Sequence, residues 1–166
     1  MLSMMPNNKP PSIAPNKLPI PPKTAAVKAF KKNPQVELAG STEIYMYYTD
    51  IKTIYKLGPY NPNHATNGTM AWRSSYAKTH TYDENVLFAE EKSFLEDYKH
   101  PMVQLDPFKV MLVMSHSENT FDKKKLREQE EQMRLAGKEN PVVHKTNLHI
   151  ENFIKDKTLR DFFTSA

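Results

Sequence analysis

The sequence contains no cysteine and only four glycines. Without cysteine there are no disulfides and no thiolate metal sites, which argues against a small secreted scaffold. The glycines are Gly40, Gly58, Gly68 and Gly137, and no two lie closer than ten residues apart. Phosphate-binding loops need closely spaced glycines so that backbone amides can approach the ligand. A Walker A loop and a dinucleotide-binding fingerprint are therefore excluded.

Long apolar runs are also absent. The longest, residues 110–114, is far shorter than the roughly 20 apolar residues that span a bilayer. The first arginine is Arg73, so the start of the chain does not resemble a mitochondrial presequence. We therefore expect no membrane span and an intracellular protein. The cytoplasm or cytoskeleton, including the cilium, is favoured, with the mitochondrion as the alternative.

Positive charge is concentrated at the start of the chain. The net charge is +4, yet residues 1–36 contain six lysines and no acidic residue, and the remaining chain is slightly acidic. Eight of the 13 prolines also lie in residues 1–36. Proline fixes φ and removes a hydrogen-bond donor, so this segment is predicted to be an extended basic arm. Residues 23–32 lack proline and predict two or three helical turns, with Val27 and Phe30 on one side.

A stripe of isoleucines and tyrosines predicts the first long helix. Its members recur at helical spacing, and Gly58-Pro59 gives a stop signal. Asp50 and Lys52 interrupt the alternation that a strand would show. The stripe consists of Ile44, Tyr47, Tyr48, Ile51, Ile54 and Tyr55.

The rest of the chain predicts three more helical regions and a loop. Residues 58–80, around Trp72, are predicted to be loop, and a second helix is predicted from Thr81 to Tyr98. Residues 108–114 predict one short strand. A charged helix is predicted at about 120–136, and a last helical pair at about 147–155 and 158–163.

These patterns together predict a mostly α, non-compact protein, in which a few short-to-medium helices are joined by extended proline-rich segments, with room for one short strand. Three regions follow from the composition. They are a basic proline-rich extended arm (1–36), a helical and aromatic segment with a loop (37–115), and a segment with the charged helix and C-terminal helices (116–166).

The search for chemistry in the sequence gives no catalytic, cofactor-binding or metal-binding residue. None of the six histidines lies three or four residues from another, so no helical two-histidine site is predicted. No Gly-x-Ser-x-Gly elbow is present. The protein is therefore predicted not to be an enzyme and to need no cofactor. A small hydrolase would require a pocket in which a histidine and a carboxylate converge.

Lysines and aromatic residues are the candidate partner-binding groups. Lysines of the basic arm suit an acidic surface, and tyrosine and tryptophan anchor interfaces because they bury a large area at little entropic cost. The arm lacks arginines and interleaved aromatics, so nucleic acid is a disfavoured partner. The candidates are Lys23, Lys28, Lys31, Lys32, Tyr47, Tyr48, Tyr55 and Trp72.

These features predict a structural or accessory subunit that wraps onto the protein subunits of a large intracellular eukaryotic assembly. The microtubule cytoskeleton, for example a ciliary axoneme, is favoured because tubulin presents an acidic surface. The alternative is an accessory subunit of a mitochondrial respiratory complex or mitochondrial ribosome.

Overall fold

A computed structural model describes residues 22–86, 89–116 and 123–165. Within them, seven strands form two mixed sheets, and many contacts join residues that are distant in sequence. The prediction of a mostly α, non-compact protein is therefore wrong. No helix in these ranges is both long and apolar enough to cross a membrane.

The described elements are short strands and mostly short helices. The strands are β1 (Leu38–Gly40), β2 (Ile44–Tyr48), β3 (Thr53–Leu57), β4 (Ala71–Trp72), β5 (Met102–Gln104), β6 (Leu112–Ser115) and β7 (Val143–Lys145). The α-helices are α1 (Pro22–Lys32), α2 (Ser74–Ala77), α3 (Glu91–Phe94), α4 (Pro107–Val110), α5 (Lys124–Leu135) and α6 (Lys157–Thr164). Two 3-10 turns occupy Asn67–Thr69 and Ile150–Asn152.

The predicted first helix is instead a β-hairpin. Antiparallel β2 and β3 pair from Ile44 with Leu57 to Tyr48 with Thr53. Asp50 and Lys52 lie in the turn between the strands, where Lys52 has a φ of 50°. The two polar residues that seemed to break a strand pattern therefore mark the end of one strand and the approach to the next.

Burial on both faces explains why β2 shows no alternation. It lies inside the four-stranded sheet β6-β2-β3-β7, and all five of its residues are buried. Met46 and Tyr48 pack on the side that contacts α5, whereas Tyr45 and Tyr47 pack against the C-terminal segment around Ile150. A strand covered on both faces is a continuous apolar run, which sequence periodicity does not distinguish from a helix.

The three-stranded sheet β4-β1-β5 separates two further clusters. Ala39 packs with Ala26 and Ala29 of α1, whereas Leu38 packs with Tyr76 and the α3 region. Successive strand residues point to opposite faces, so β1 binds a helix on one side and an aromatic cluster on the other. Strand β4 forms one edge of this sheet.

Three of the predicted helical regions are present in part or in full. Helix α1 occupies the proline-free stretch, α5 matches the charged helix, and α6 falls in the last helical pair. The second predicted helix is wrong at its start, since residues 81–83 are not helical, and among the described residues that follow, up to residue 98, the short α3 is the only helix. The predicted strand at 108–114 is divided between α4 and β6.

Elements from the three regions proposed from composition pack against one another or pair in the same sheet. Helix α1 from the basic arm packs on β1, and β7 from the last region pairs with β3 from the middle region. Residues 1–21 of the predicted arm lie outside the described residues.

Candidate functional site

An apolar groove runs between α1 and the edge strand β4. Its volume is about 360 Å³. Two of the residues that line it are large and exposed: Val27 has 45% of its surface accessible and Trp72 has 40%. Phe30, Met70 and Ala71 also line the groove. Exposed aromatic and aliphatic side chains around one depression are typical of a binding surface.

Three of the predicted partner-binding lysines lie on α1, the helix that forms one wall of this groove. Lys28, Lys31 and Lys32 are exposed. Residues four apart share a helix face, so Lys31 lies next to Val27 at the rim. The side chain of Lys23, the fourth lysine, lies outside the described residues. Sequence reasoning identified Trp72 and Lys31 separately, and the fold places Trp72 on one wall of the groove and Lys31 one helical turn from Val27 on the other.

Arg73 fastens the end of α1 to the sheet. Its guanidinium donates hydrogen bonds to the carbonyl oxygens of Val36 at 3.0 Å and Phe30 at 3.1 Å. It also lies 4.9 Å from the centre of the Phe30 ring. A cation at a helix C-terminus satisfies the last carbonyls and interacts favourably with the helix dipole. These hydrogen bonds and the ring contact hold α1, which forms one wall of the groove, in place.

The three candidate tyrosines of the hairpin lie in the core. Tyr47, Tyr48 and Tyr55 are each less than 5% exposed. The hydroxyl of Tyr48 donates to the Lys123 carbonyl oxygen at 2.7 Å, which ties the sheet to the start of α5. Burial raises the pKa of Tyr47 and of Tyr55. These three side chains are therefore part of the core in the described structure.

A buried histidine and a carboxylate converge between β1 and α3. His64 is 7% exposed, and its Nε2 lies 3.3 Å from Glu91 Oε1. Its Nδ1 lies 3.4 Å from Thr42 Oγ1, and that oxygen accepts a 2.9 Å hydrogen bond from the Tyr60 amide. The chain of polar contacts joins three segments, so its evident role is to fix the β1–β2 connection against α3.

A second histidine–carboxylate group lies near the surface. His80, Glu96 and His100 each offer a ligand atom, and these atoms lie within 4.8 Å of one another. Glu96 Oε1 is 3.5 Å from His80 Nε2, and Glu96 Oε2 is 3.0 Å from His100 Nε2. A carboxylate only accepts, so the His100 N–H donates, and this bond holds the pKa of Glu96 below its usual range.

Backbone geometry brings Glu96 towards both histidines. Glu96, Asp97 and Tyr98 have φ values of 45°, 55° and 64°. The left-handed region costs roughly 1–2 kcal/mol per residue for side chains other than glycine. A run of three such residues therefore requires compensating contacts, of which the histidine–carboxylate group is one.

Tyr76 forms the floor beneath both imidazoles. Its ring stacks on His80, with centroids 3.7 Å apart and planes 2° apart, and meets His100 edge-on at 5.2 Å. Its hydroxyl donates to the Phe94 carbonyl oxygen at 2.7 Å. Burial, and then the nearby Glu96 and Glu37, raise the pKa of Tyr76 to about 12. The phenol therefore remains a neutral donor.

Sequence reasoning missed this group because it looked for histidines three or four residues from one another. His80 and His100 are twenty residues apart in the chain. The usable signal was Glu96-x-x-x-His100, a carboxylate and a histidine four residues apart. In the structure, left-handed residues separate the two, so helical spacing alone does not describe their approach.

Comparison with known proteins gives no match: no family model, no curated protein and no solved structure resembles this chain. The described residues therefore define a class by structure alone. It is a mixed α/β protein with an apolar groove, one wall of which is a lysine-bearing helix, and a separate histidine–carboxylate group.

Proposed function

We propose that the chain is a non-enzymatic accessory protein that docks on an acidic protein surface through α1 and the groove between α1 and β4. One observation carries the proposal: Lys31 lies one helical turn from the exposed Val27 at the rim of a groove that Trp72 also lines. The partner would present an apolar side chain to the groove and carboxylates to the lysines.

Charge supports the choice of an acidic partner. Residues 22–36 contain four lysines and no acidic residue. Clustered charge of one sign steers association with a surface of the opposite sign. The microtubule lattice, for example in a ciliary axoneme, remains the assembly that we propose, because tubulin presents an acidic surface. The setting would then be the cytoskeleton.

Co-sedimentation of the full chain with microtubules tests the proposal. Replacing the three α1 lysines with glutamine should lower affinity about tenfold, since each exposed charge pair contributes roughly 0.2–1 kcal/mol. A triple variant elsewhere on the surface makes the same change in net charge and should bind normally. The test set is Lys28, Lys31 and Lys32, and the control set is Lys78, Lys138 and Lys145.

Trp72 provides a direct signal for the groove because it is the sole tryptophan. Its emission should shift to shorter wavelength when a partner covers it. Val27→Asp should abolish that shift, whereas Ile51→Asp, at a residue of nearly equal exposure in the hairpin turn, should not.

The two assays separate the parts of the proposal. Failure of the natural chain to pellet with microtubules at low salt would exclude this lattice as the partner. Equal losses in the two lysine variants would exclude α1 as the contact. Binding that leaves Trp72 emission unchanged would exclude the groove.

A further inference from the structure

The spacing of His80, Glu96 and His100 matches the spacing of ligands around a small tetrahedral ion. Ligand atoms 2.0–2.1 Å from such an ion lie about 3.3 Å from one another. The two histidine nitrogens lie 3.5 and 3.0 Å from the carboxylate oxygens, and the three ligand atoms stay within 4.8 Å. Small side-chain rotations, with the His100 proton moved from Nε2 to Nδ1, would therefore complete three bonds to one ion.

The hydrogen bonding of His80 prepares its Nε2 to be a ligand. His80 Nδ1 lies 2.9 Å from the Tyr76 carbonyl oxygen, which only accepts, so Nδ1 carries the proton. In the neutral ring, Nε2 then presents its lone pair towards Glu96, itself an acceptor. Metal-binding histidines characteristically donate their other N–H to a carbonyl or carboxylate in this way. A cation between the two acceptors would satisfy both.

The surroundings of the three groups are rigid on one side and open on the other. Tyr76 is 1% exposed and contacts both imidazole rings. The side chain of Glu96 is 50% exposed, that of His100 is 34% exposed, and that of His80 is 16% exposed. Fixed ligands over a packed floor lower the cost of ordering the site, and the exposed side leaves a coordination position for water.

The donor atoms select the class of ion. Two imidazole nitrogens and one carboxylate oxygen suit zinc and its neighbours, whereas magnesium and calcium prefer oxygen ligands throughout. We propose that His80, Glu96 and His100 form a binding site for a divalent zinc-type ion. The ion ties the residues after α2 to the left-handed turn after α3. This inference is independent of the proposed docking function.

Calorimetric titration of the full, tag-free chain with zinc chloride tests the site. We expect one ion per chain with micromolar or tighter affinity, and an increase of several degrees in the unfolding temperature. Cobalt should give the visible absorption bands of a tetrahedral nitrogen–oxygen site. Glu96→Gln should weaken zinc binding by about 100-fold or more, since even second-shell changes cost 10–100-fold.

Two further variants provide a second test of the ligands and a control. Glu96 is half exposed and a glutamine oxygen can still accept the His100 hydrogen bond, so Glu96→Gln should fold normally, and His100→Gln removes a second ligand. His144→Gln, in β7, removes a histidine elsewhere and should bind zinc like the natural chain. Equal affinity in the natural chain and Glu96→Gln would overturn the proposal. So would failure of the natural chain to bind zinc in the micromolar range, which would leave only a hydrogen-bonded group.

Discussion

The guanidinium of Arg127 makes two hydrogen bonds with the carboxylate of Asp50, at 2.7 and 2.6 Å. Asp50 lies in the turn of the β2–β3 hairpin and Arg127 lies on α5, so the pair joins segments 77 residues apart. The Arg127 guanidinium also lies 4.9 Å from the centre of the Tyr48 ring. Its side chain is only 10% exposed, whereas that of Asp50 is 56% exposed.

Asp50→Asn should therefore destabilise the fold by about 1–2 kcal/mol. Two charge-assisted hydrogen bonds are weakened and a nearly buried cation loses its counter-charge, but the exposure of Asp50 moderates the cost. Urea unfolding at neutral pH would measure it. Asp161→Asn disrupts an exposed pair with Lys157 four residues away and should cost about 0.5 kcal/mol or less. Equal effects would show that the Arg127 contact does not hold α5.

The pair of Asp50 and Arg127 also predicts how the stability of the fold depends on pH in the acid range. The hydrogen bond from Arg127 is the main cause that lowers the pKa of Asp50 in the folded state. The contribution of Asp50 to the unfolding free energy is therefore complete above its pKa in the unfolded chain, about 3.9. It is lost as the pH falls through its lower pKa in the folded state. Unfolding free energies measured from pH 5 downwards should fall less steeply in Asp50→Asn than in the natural chain. Parallel curves would contradict this assignment.

Ile54 and Ile51 give a direct test of the hairpin. Ile54 is fully buried in β3, whereas Ile51 lies in the turn and is 44% exposed. Ile54→Ala should cost about 2–5 kcal/mol because transfer and cavity terms add. Ile51→Ala should cost less than about 1 kcal/mol. A helix carrying both residues on one buried face would give similar costs, so denaturant unfolding of the two variants separates the structures.

Glu130 is expected to lower stability in the natural chain. It is 7% exposed, and its Oε2 has no hydrogen-bond partner among the described residues. Replacement by methionine should raise the unfolding free energy by about 1–3 kcal/mol, because a buried acceptor is removed and apolar packing is gained. Glu131→Met changes a neighbouring residue whose side chain is 60% exposed. Thermal unfolding should show no comparable increase in its stability. A loss of stability in Glu130→Met would indicate that the carboxylate is needed.

Gly58 and Gly137 both have positive φ, at 94° and 68°, but differ in their surroundings. A Cβ at Gly58 would lie 2.2 Å from the Thr42 carbonyl oxygen, whereas nothing lies within 4 Å of one at Gly137. Gly58→Ala should therefore cost more than about 2 kcal/mol, and Gly137→Ala about 1 kcal/mol from backbone conformation alone. Equal thermal shifts would contradict the close approach at Gly58.

Local sequence patterns were sufficient for α1, α5 and α6 because helices depend on neighbouring residues. They failed for the hairpin because β2 is buried on both faces and β3 follows after a short turn, so two strands together imitate one helical stripe. Pairing with β6, whose residues lie about 67 positions further along the chain, has no local signature. The histidine–carboxylate group was missed for a related reason, since a backbone turn, and not a repeat, brings its members together.

The order of strands in the larger sheet also has a consequence for biosynthesis. A ribosome releases β2 and β3 early, but β6, the parallel neighbour of β2, follows much later, and β7, the outer neighbour of β3, later still. Until residues 143–145 emerge, the hairpin has an unpaired edge, which invites non-native pairing. Within this sheet, only the hairpin forms from local contacts. The four-stranded sheet therefore cannot be completed until most of the chain has been synthesised.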